Sequence, residues 1–309
     1  RAAPRSRATS EEEQKMLTRV VHFYSEGSRL EGDYFLPAGI QPGERRPGIV
    51  LCHGYSGIRS VVLPDYAKRF AAAGYAVLSF DYRGFGGSEG PKWRIMALEQ
   101  IDDIRNAITW LEAQPEIDPE RIGVWGTSNG GAHAPYVAGV DDRVKAAVGQ
   151  VGYGDGRRLL LEIRTAEERE ALLTLLARDR RKRVLTGTGD AVDCATLLSS
   201  PQTRAFFAEA LKVAPELYSE IPWASAEKTM EYRPLDVVDR IAPRALLLIG
   251  AENDDLCKFE GYRELYERAR EPKKLVGLPI THYEIYGPPW LDESAKLAIE
   301  WFDRHLKAV

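Results

Sequence analysis

Cysteine is scarce in this sequence, and its three copies are far apart. Cys52, Cys194 and Cys257 form no CxxC pair and no even framework. That spacing excludes a disulfide scaffold and leaves free buried thiols in a reducing compartment as the expectation. The five histidines, at 22, 53, 133, 282 and 305, include no HExxH or HxxxH pair, so no metal is expected. Neither sign of charge dominates: 42 Lys and Arg face 46 Asp and Glu, for a net charge of −4. A chain so balanced offers no basic face, and nucleic acid is not expected as a partner. No apolar run approaches the ~20 residues of a membrane-spanning helix. The opening RAAPRSRATSEEEQK lacks an initiating Met and the apolar core of an export signal. It reads as the flexible lead-in, residues 1–15, of a trimmed cytoplasmic chain.

The chain does contain a repeating alternation of two patterns. Residues 18–36 alternate and break at Glu26-Gly27, which predicts a β-hairpin. Short, nearly continuous apolar runs follow at 47–52, 75–80, 122–125, 144–151 and 245–249, the pattern of strands buried on both faces. Between them lie helical patterns, at 65–73 ending on Gly74 and at 95–111, with Ile101, Ile104, Ile108 and Leu111 on one stripe. Such alternation predicts an α/β fold, a mostly parallel central sheet with helices on both faces. Function in such sheets gathers beyond the carboxyl ends of the strands. Residues 154–235 break the rhythm with about eighty helical, charged residues and no strand pattern, too long for a simple connection. The expected organisation is a core of 16–153 and 236–309, with 154–235 inserted as a helical cap.

The run IGVWGTSNGG at 122–131 places G-x-S-x-G, Gly126 to Gly130, between a strand and a helix-capable segment. Small residues cluster in ordinary turns as well. A nucleophile, however, needs small neighbours two positions before and after it to occupy a sharp strand-to-helix bend. A serine also needs a base and an orienting acid. After Ser128 only His282 and His305 remain, and His282 opens a loop behind the strand pattern 274–278, whereas His305 reads as a solvated helix position. The acid is expected in the loop after 245–249, where Asp254 is the first choice and Asp255 the alternative. Backbone N–H groups of Asn129 and Tyr55, the latter in the HGYSG loop at 53–57, are the expected oxyanion donors. His53 reads as holding that loop. DYRGFGGS at 81–88 reads as a turn fixed by Asp81 and Arg83 rather than as a dinucleotide loop.

With HGYSG, DYRGFGGS, GTSNGG, Asp254 and THYEIY at 281–286 in place, the chain resembles the α/β-hydrolase superfamily over residues 47–286. The likeness is strongest to the branch of dienelactone-hydrolase-like and acyl-peptidase-like serine hydrolases. It departs from that branch after the acid, where Asp255 and Cys257-Lys258 replace the usual prolines. The resemblance implies covalent catalysis without a cofactor. Ser128 would attack, His282 shuttle the proton, Asp254 hold the imidazole, and water release an acyl-enzyme. The expected activity is ester or amide hydrolysis of a small acyl substrate; C–C hydrolysis of a diketone uses the same triad, and a non-catalytic binder is the remaining class. Tyr153, Arg157, Trp223 and Tyr232 are the expected substrate contacts, with Phe206 and Phe207 as further cap aromatics. Arg157 and Arg158 could meet a carboxylate, and Arg178 to Arg183 reads as a wet helix face. A homodimer is the default expectation for a soluble enzyme.

Overall fold

The computed structural model describes residues 16–217 and 220–307. The lead-in expected over 1–15 therefore lies outside the described residues, apart from its boundary. Eight strands form one sheet: β1 (Leu17–Ser25), β2 (Ser28–Leu36), β3 (Arg46–Cys52), β4 (Ala76–Phe80), β5 (Ile117–Thr127), β6 (Val144–Gln150), β9 (Ala245–Ala251) and β10 (Lys273–Leu278). Their order is β1-β2-β4-β3-β5-β6-β9-β10. The β1–β2 hairpin pairs antiparallel with itself and with β4, and all later pairings are parallel. Positive φ at both Glu26 and Gly27 gives the hairpin a turn whose twist matches its strands.

The apolar runs become strands because both faces are covered. Along β3, Ile49 and Leu51 pack with Tyr66 and Phe70 of α1 (Leu63–Ala72) and Phe302 of α9 (Trp290–Phe302). Val50 and Cys52 point the other way, into a core with Ile104 and Ile108 of α2 (Ala97–Glu112) and Val137 of α3 (Asn129–Val140). Successive side chains of a strand face opposite sides, so a strand between two helical layers must be apolar at every position. All seven residues of β9 are accordingly buried.

The insertion between β6 and β9 carries α4 (Gly156–Glu162), α5 (Ala166–Thr186), β7 (Ala191–Asp193), α6 (Cys194–Leu197), α7 (Pro201–Val213), β8 (Glu220–Pro222) and α8 (Trp223–Glu231). The β7–β8 ribbon departs from the all-helical expectation. Three-residue strands carry too little alternation to register as a pattern. Leu160, Leu176, Leu197 and Ile221 of the insertion share one buried cluster with the α2–α3 face of the sheet. The basic run on α5 faces solvent, with Arg180 and Arg183 both paired to Glu227. His305, expected to be solvated, instead rests half-buried against the Trp301 ring at 4.3 Å. Among the described residues, no helix is long and apolar enough to cross a membrane.

Candidate active site

The parallel strands deliver their loops to one rim, among them the bend from β5 into α3. Ser128 sits there at φ 56°, ψ −118°, a backbone conformation that L residues rarely adopt. Its neighbours explain how the chain can bend so tightly. A Cβ on Gly126 would lie 2.0 Å from the Gly130 carbonyl oxygen, and one on Gly130 would lie 2.1 Å from that of Cys52. Only glycine fits at either place. The bend is pinned by Ser128 N–H donating to Gln150 O at 2.9 Å.

The structure brings Ser128, His282 and Asp254 together from three loops. Ser128 Oγ lies 3.1 Å from His282 Nε2, and His282 Nδ1 lies 2.6 Å from Asp254 Oδ2. The second carboxylate oxygen, Oδ1, accepts the N–H groups of Leu256 and Cys257, each at 2.8 Å. Asp255 points elsewhere, with Oδ2 accepting the Gln202 backbone N–H at 3.2 Å. Of the two carboxylates that the sequence left open, Asp254 is the one whose oxygen reaches the His282 ring. Cys257 Sγ is close enough that Asp254, Cys257 and His282 place ligand-type atoms within 4.8 Å of one another. Two of those atoms are already hydrogen-bonded to each other, and burial pushes the Cys257 thiol well above its usual pKa. The trio is therefore built as a hydrogen-bonded relay, not as an open ligand set.

Facing the serine is the loop after β3. Gly54 presents its open side to Ser128, and a Cβ there would stand 3.4 Å from that of the serine. Among the described residues, neither the Tyr55 nor the Asn129 backbone N–H has an acceptor. Asn129 is the first residue of α3, where helix N–H groups are free to meet an anion. His53 is buried in this loop: it pairs Nδ1 with Gly54 O at 3.0 Å, and its Nε2 accepts the Tyr82 N–H at 3.4 Å. Burial lowers its pKa and keeps the ring neutral, as a loop-holding role requires. Arg59 closes the same loop by donating to Asp81, to Glu31 at 2.5 Å and to Asp33 at 3.1 Å.

A pocket opens onto Ser128. Its apolar wall is formed by Val61, Val62, Leu63, Leu198, Phe206, Phe207 and Leu217, together with Tyr283 and Tyr286, and no Asp, Glu, Lys or Arg lines it among the described residues. Val62 is held at φ 67°, ψ −52°, with Leu63 N–H donating to Val61 O at 2.8 Å. That is a γ-turn, costly for a β-branched residue at roughly 1–3 kcal/mol. Val61, Val62 and Leu63 were not legible as site residues, since their pattern is that of an ordinary helix start.

The four expected substrate residues do not line this pocket. Tyr153 is buried and donates to Asn129 Oδ1 at 2.6 Å. Tyr232 is buried against His133, with its hydroxyl 3.0 Å from Nδ1. Trp223 packs against the core, and Arg157 is exposed. Arg158 is taken by Glu162 and Glu264. The hydroxyls of these tyrosines are committed to a buried network that the sequence did not reveal. Its other members are Gln100, whose Oε1 lies 3.0 Å from His133 Nε2, and the Asn129 carboxamide. Burial lowers the His133 pKa to about 3, so the ring is neutral. The network fixes the side chain of Asn129, the first residue of α3.

Comparison with known proteins bears on the family and the fold. A family model described as X-Pro dipeptidyl-peptidase (S15 family) matches residues 26–284. A 31.7 kDa protein in the traX-finO intergenic region of Escherichia coli is 34% identical over 92% of this chain and 98% of its own. The thiohydrolase aneE of Aspergillus aculeatus is 28% identical, with 86% of each chain covered. The crystal structure of the α/β hydrolase GrgF from Penicillium superposes with a TM-score of 0.78 at 25% identity, covering 94% of this chain and 99% of that one.

Proposed function

Since the chain belongs to the X-Pro dipeptidyl-peptidase S15 family of α/β hydrolases, we propose that it cleaves apolar acyl esters through an acyl-enzyme on Ser128. The observation that carries this reading is the aligned pair of hydrogen bonds from Ser128 through His282 to Asp254. His282 Nε2 takes the Oγ proton as the oxygen attacks the acyl carbon. The alkoxide that develops on the carbonyl oxygen is met by the Tyr55 and Asn129 N–H groups. Collapse expels the leaving group, which receives the proton from His282. Water then attacks the acyl-Ser128 carbonyl by the same route in reverse, yielding the free acid and the resting serine. Asp254 fixes the imidazole with its proton on Nδ1, so that Nε2 is free to accept.

The lining decides among substrates. A dipeptidyl-peptidase must seat the charged amino terminus of a peptide, and burying an ammonium without a carboxylate partner is costly. The uncharged wall here favours neutral aliphatic or aryl acyl groups. By the same argument it disfavours carboxylate-bearing ones, which the basic residues at 157 and 158 had pointed to. A thioester fits the same chemistry, in line with the thiohydrolase among the relatives. The inserted segment 154–235 acts as the cap, since Leu198, Phe206, Phe207 and Leu217 supply much of the wall.

The test is a panel of neutral esters, thioesters, X-Pro arylamides and a diketone, assayed with wild type and Ser128→Ala. Neutral esters and thioesters are expected to turn over, and Ser128→Ala to lose about a millionfold in kcat. Wild-type rates in that variant would refute the assignment. A ketone product from the diketone would redirect it to C–C hydrolysis, which the same three residues support.

A further inference from the structure

We infer that Gln202, on the inserted helix α7, is a positioning residue that makes alignment of the acid and base loops depend on how the acyl pocket is filled. This inference rests on the function proposed above. The Gln202 carboxamide lies between the two loops. Its Oε1 accepts the His282 backbone N–H at 3.1 Å, and its Nε2 donates to Asn253 O at 3.0 Å, next to Asp254. Its own backbone N–H donates to Asp255 Oδ2 at 3.2 Å. Just past the paired strands, the last backbone links between these loops are Glu252 N–H to Leu278 O at 2.8 Å and Asn253 N–H to Ile280 O at 3.0 Å. Beyond them the separation of His282 from Asp254 has no strand pairing to define it, and Gln202 spans that gap. A carboxamide suits the place because it accepts on one side and donates on the other.

The same turn of α7 builds the roof of the pocket. Thr203 Oγ1 accepts the Tyr283 hydroxyl at 3.0 Å, and Phe206 stacks on the Tyr283 ring at 4.2 Å with 11° between planes. Phe206 and Phe207 both line the pocket. One rigid helical turn therefore has one side on the triad loops and the other on the acyl chain. An acyl chain packed under the two phenylalanines favours the docked helix, and the docked helix holds His282 and Asp254 in register. A short acyl group supplies no such packing and leaves alignment to Gln202.

The experiment compares wild type, Ser128→Ala and Gln202→Met on acetyl and octanoyl esters of one alcohol. Gln202→Met keeps the side chain's length and removes both hydrogen bonds. The expected result is a fall in kcat of about ten- to a hundredfold on the acetyl ester, a misplacement effect. KM should stay within about twofold, and the loss should be several-fold smaller on the octanoyl ester. Unchanged kcat on the acetyl ester, or an equal loss on both esters, overturns the inference. Should Gln202→Met not fold, Thr203→Val, which removes the acceptor for Tyr283, must show the same dependence on acyl length. A loss that is flat with length in that variant overturns the inference too. Turnover that survives Ser128→Ala overturns the proposed function and this inference with it, whereas a Ser128-dependent enzyme indifferent to Gln202→Met overturns the inference alone.

Discussion

Replacing Asp254 by asparagine should leave the fold intact and trap the imidazole in the wrong tautomer. The two oxygens of Asp254 have different duties: Oδ1 accepts two backbone N–H groups at 2.8 Å each, and Oδ2 meets His282 Nδ1 at 2.6 Å. A carboxamide can turn only its oxygen toward the two N–H groups, since its NH₂ would place donors against donors. The NH₂ then faces Nδ1, which must accept, and the ring proton moves to Nε2. There it points at Ser128 Oγ, 3.1 Å away, so the imidazole can no longer take the serine's proton. Both side chains of the pair are fully buried, and no water can substitute. The expected loss in kcat is about a thousand- to ten-thousandfold, or about 4–5.5 kcal/mol at about 1.36 kcal/mol per tenfold. Asp255→Asn should cost less than about tenfold, because that carboxylate touches only the Gln202 N–H and never the ring. Initial rates on a neutral ester, with thermal unfolding as a control for folding, read both variants. A ten-thousandfold loss in Asp255→Asn beside a near-normal Asp254→Asn would refute the reasoning.

Gly130→Ala would drive a methyl to 2.1 Å from the Cys52 carbonyl oxygen, a backbone atom that cannot move aside. It should destabilise the protein by about 1–3 kcal/mol in urea unfolding. Gly54→Ala finds only ordinary contact, 3.4 Å to the Ser128 Cβ, and should keep its stability while crowding the attacked carbon. A loss of about tenfold or more in kcat/KM, with an unchanged midpoint, is the expected reading. Buried His133 is neutral in the folded protein, with a pKa of about 3 against 6.5 in the open chain. The unfolded state therefore binds more protons between those values, and stability falls as pH drops below 6.5. His133 alone should contribute about 2 kcal/mol of that loss by pH 5. His133→Gln should show a correspondingly shallower decline between pH 7 and 5, and an unaltered slope would count against a neutral buried ring.

What could be read in the sequence divides by how far each residue's partner lies along the chain. Gly126, Ser128 and Gly130 announce a bend because the constraint is local: a serine at φ 56° needs small neighbours within two positions. His282 was legible from chain order, and the strands from apolar runs that two helical layers demand. Asp254 could not be separated from Asp255 by composition, since the choice rests on which carboxylate meets the N–H groups of Leu256 and Cys257. Tyr153, Arg157, Trp223 and Tyr232, expected at the substrate, lie away from the pocket beside Ser128 for a related reason. An aromatic near the rim is equally consistent with a pocket wall and with a buried anchor, and only a distant partner tells them apart. Tyr153 and Tyr232 found such partners in Asn129 and His133, 24 and 99 positions away, and so became supports. Phe206 has no polar atom to satisfy, and it stacks instead on Tyr283 and faces the cavity. Burying a tyrosine hydroxyl without a partner costs more than burying a phenyl ring. Tyr232 of the inserted segment and Tyr153 at its root are therefore committed to the core network, which leaves phenylalanine and leucine of the segment to face the cavity. Among the described residues, the wall that the insertion supplies over Ser128 is accordingly Leu198, Phe206, Phe207 and Leu217.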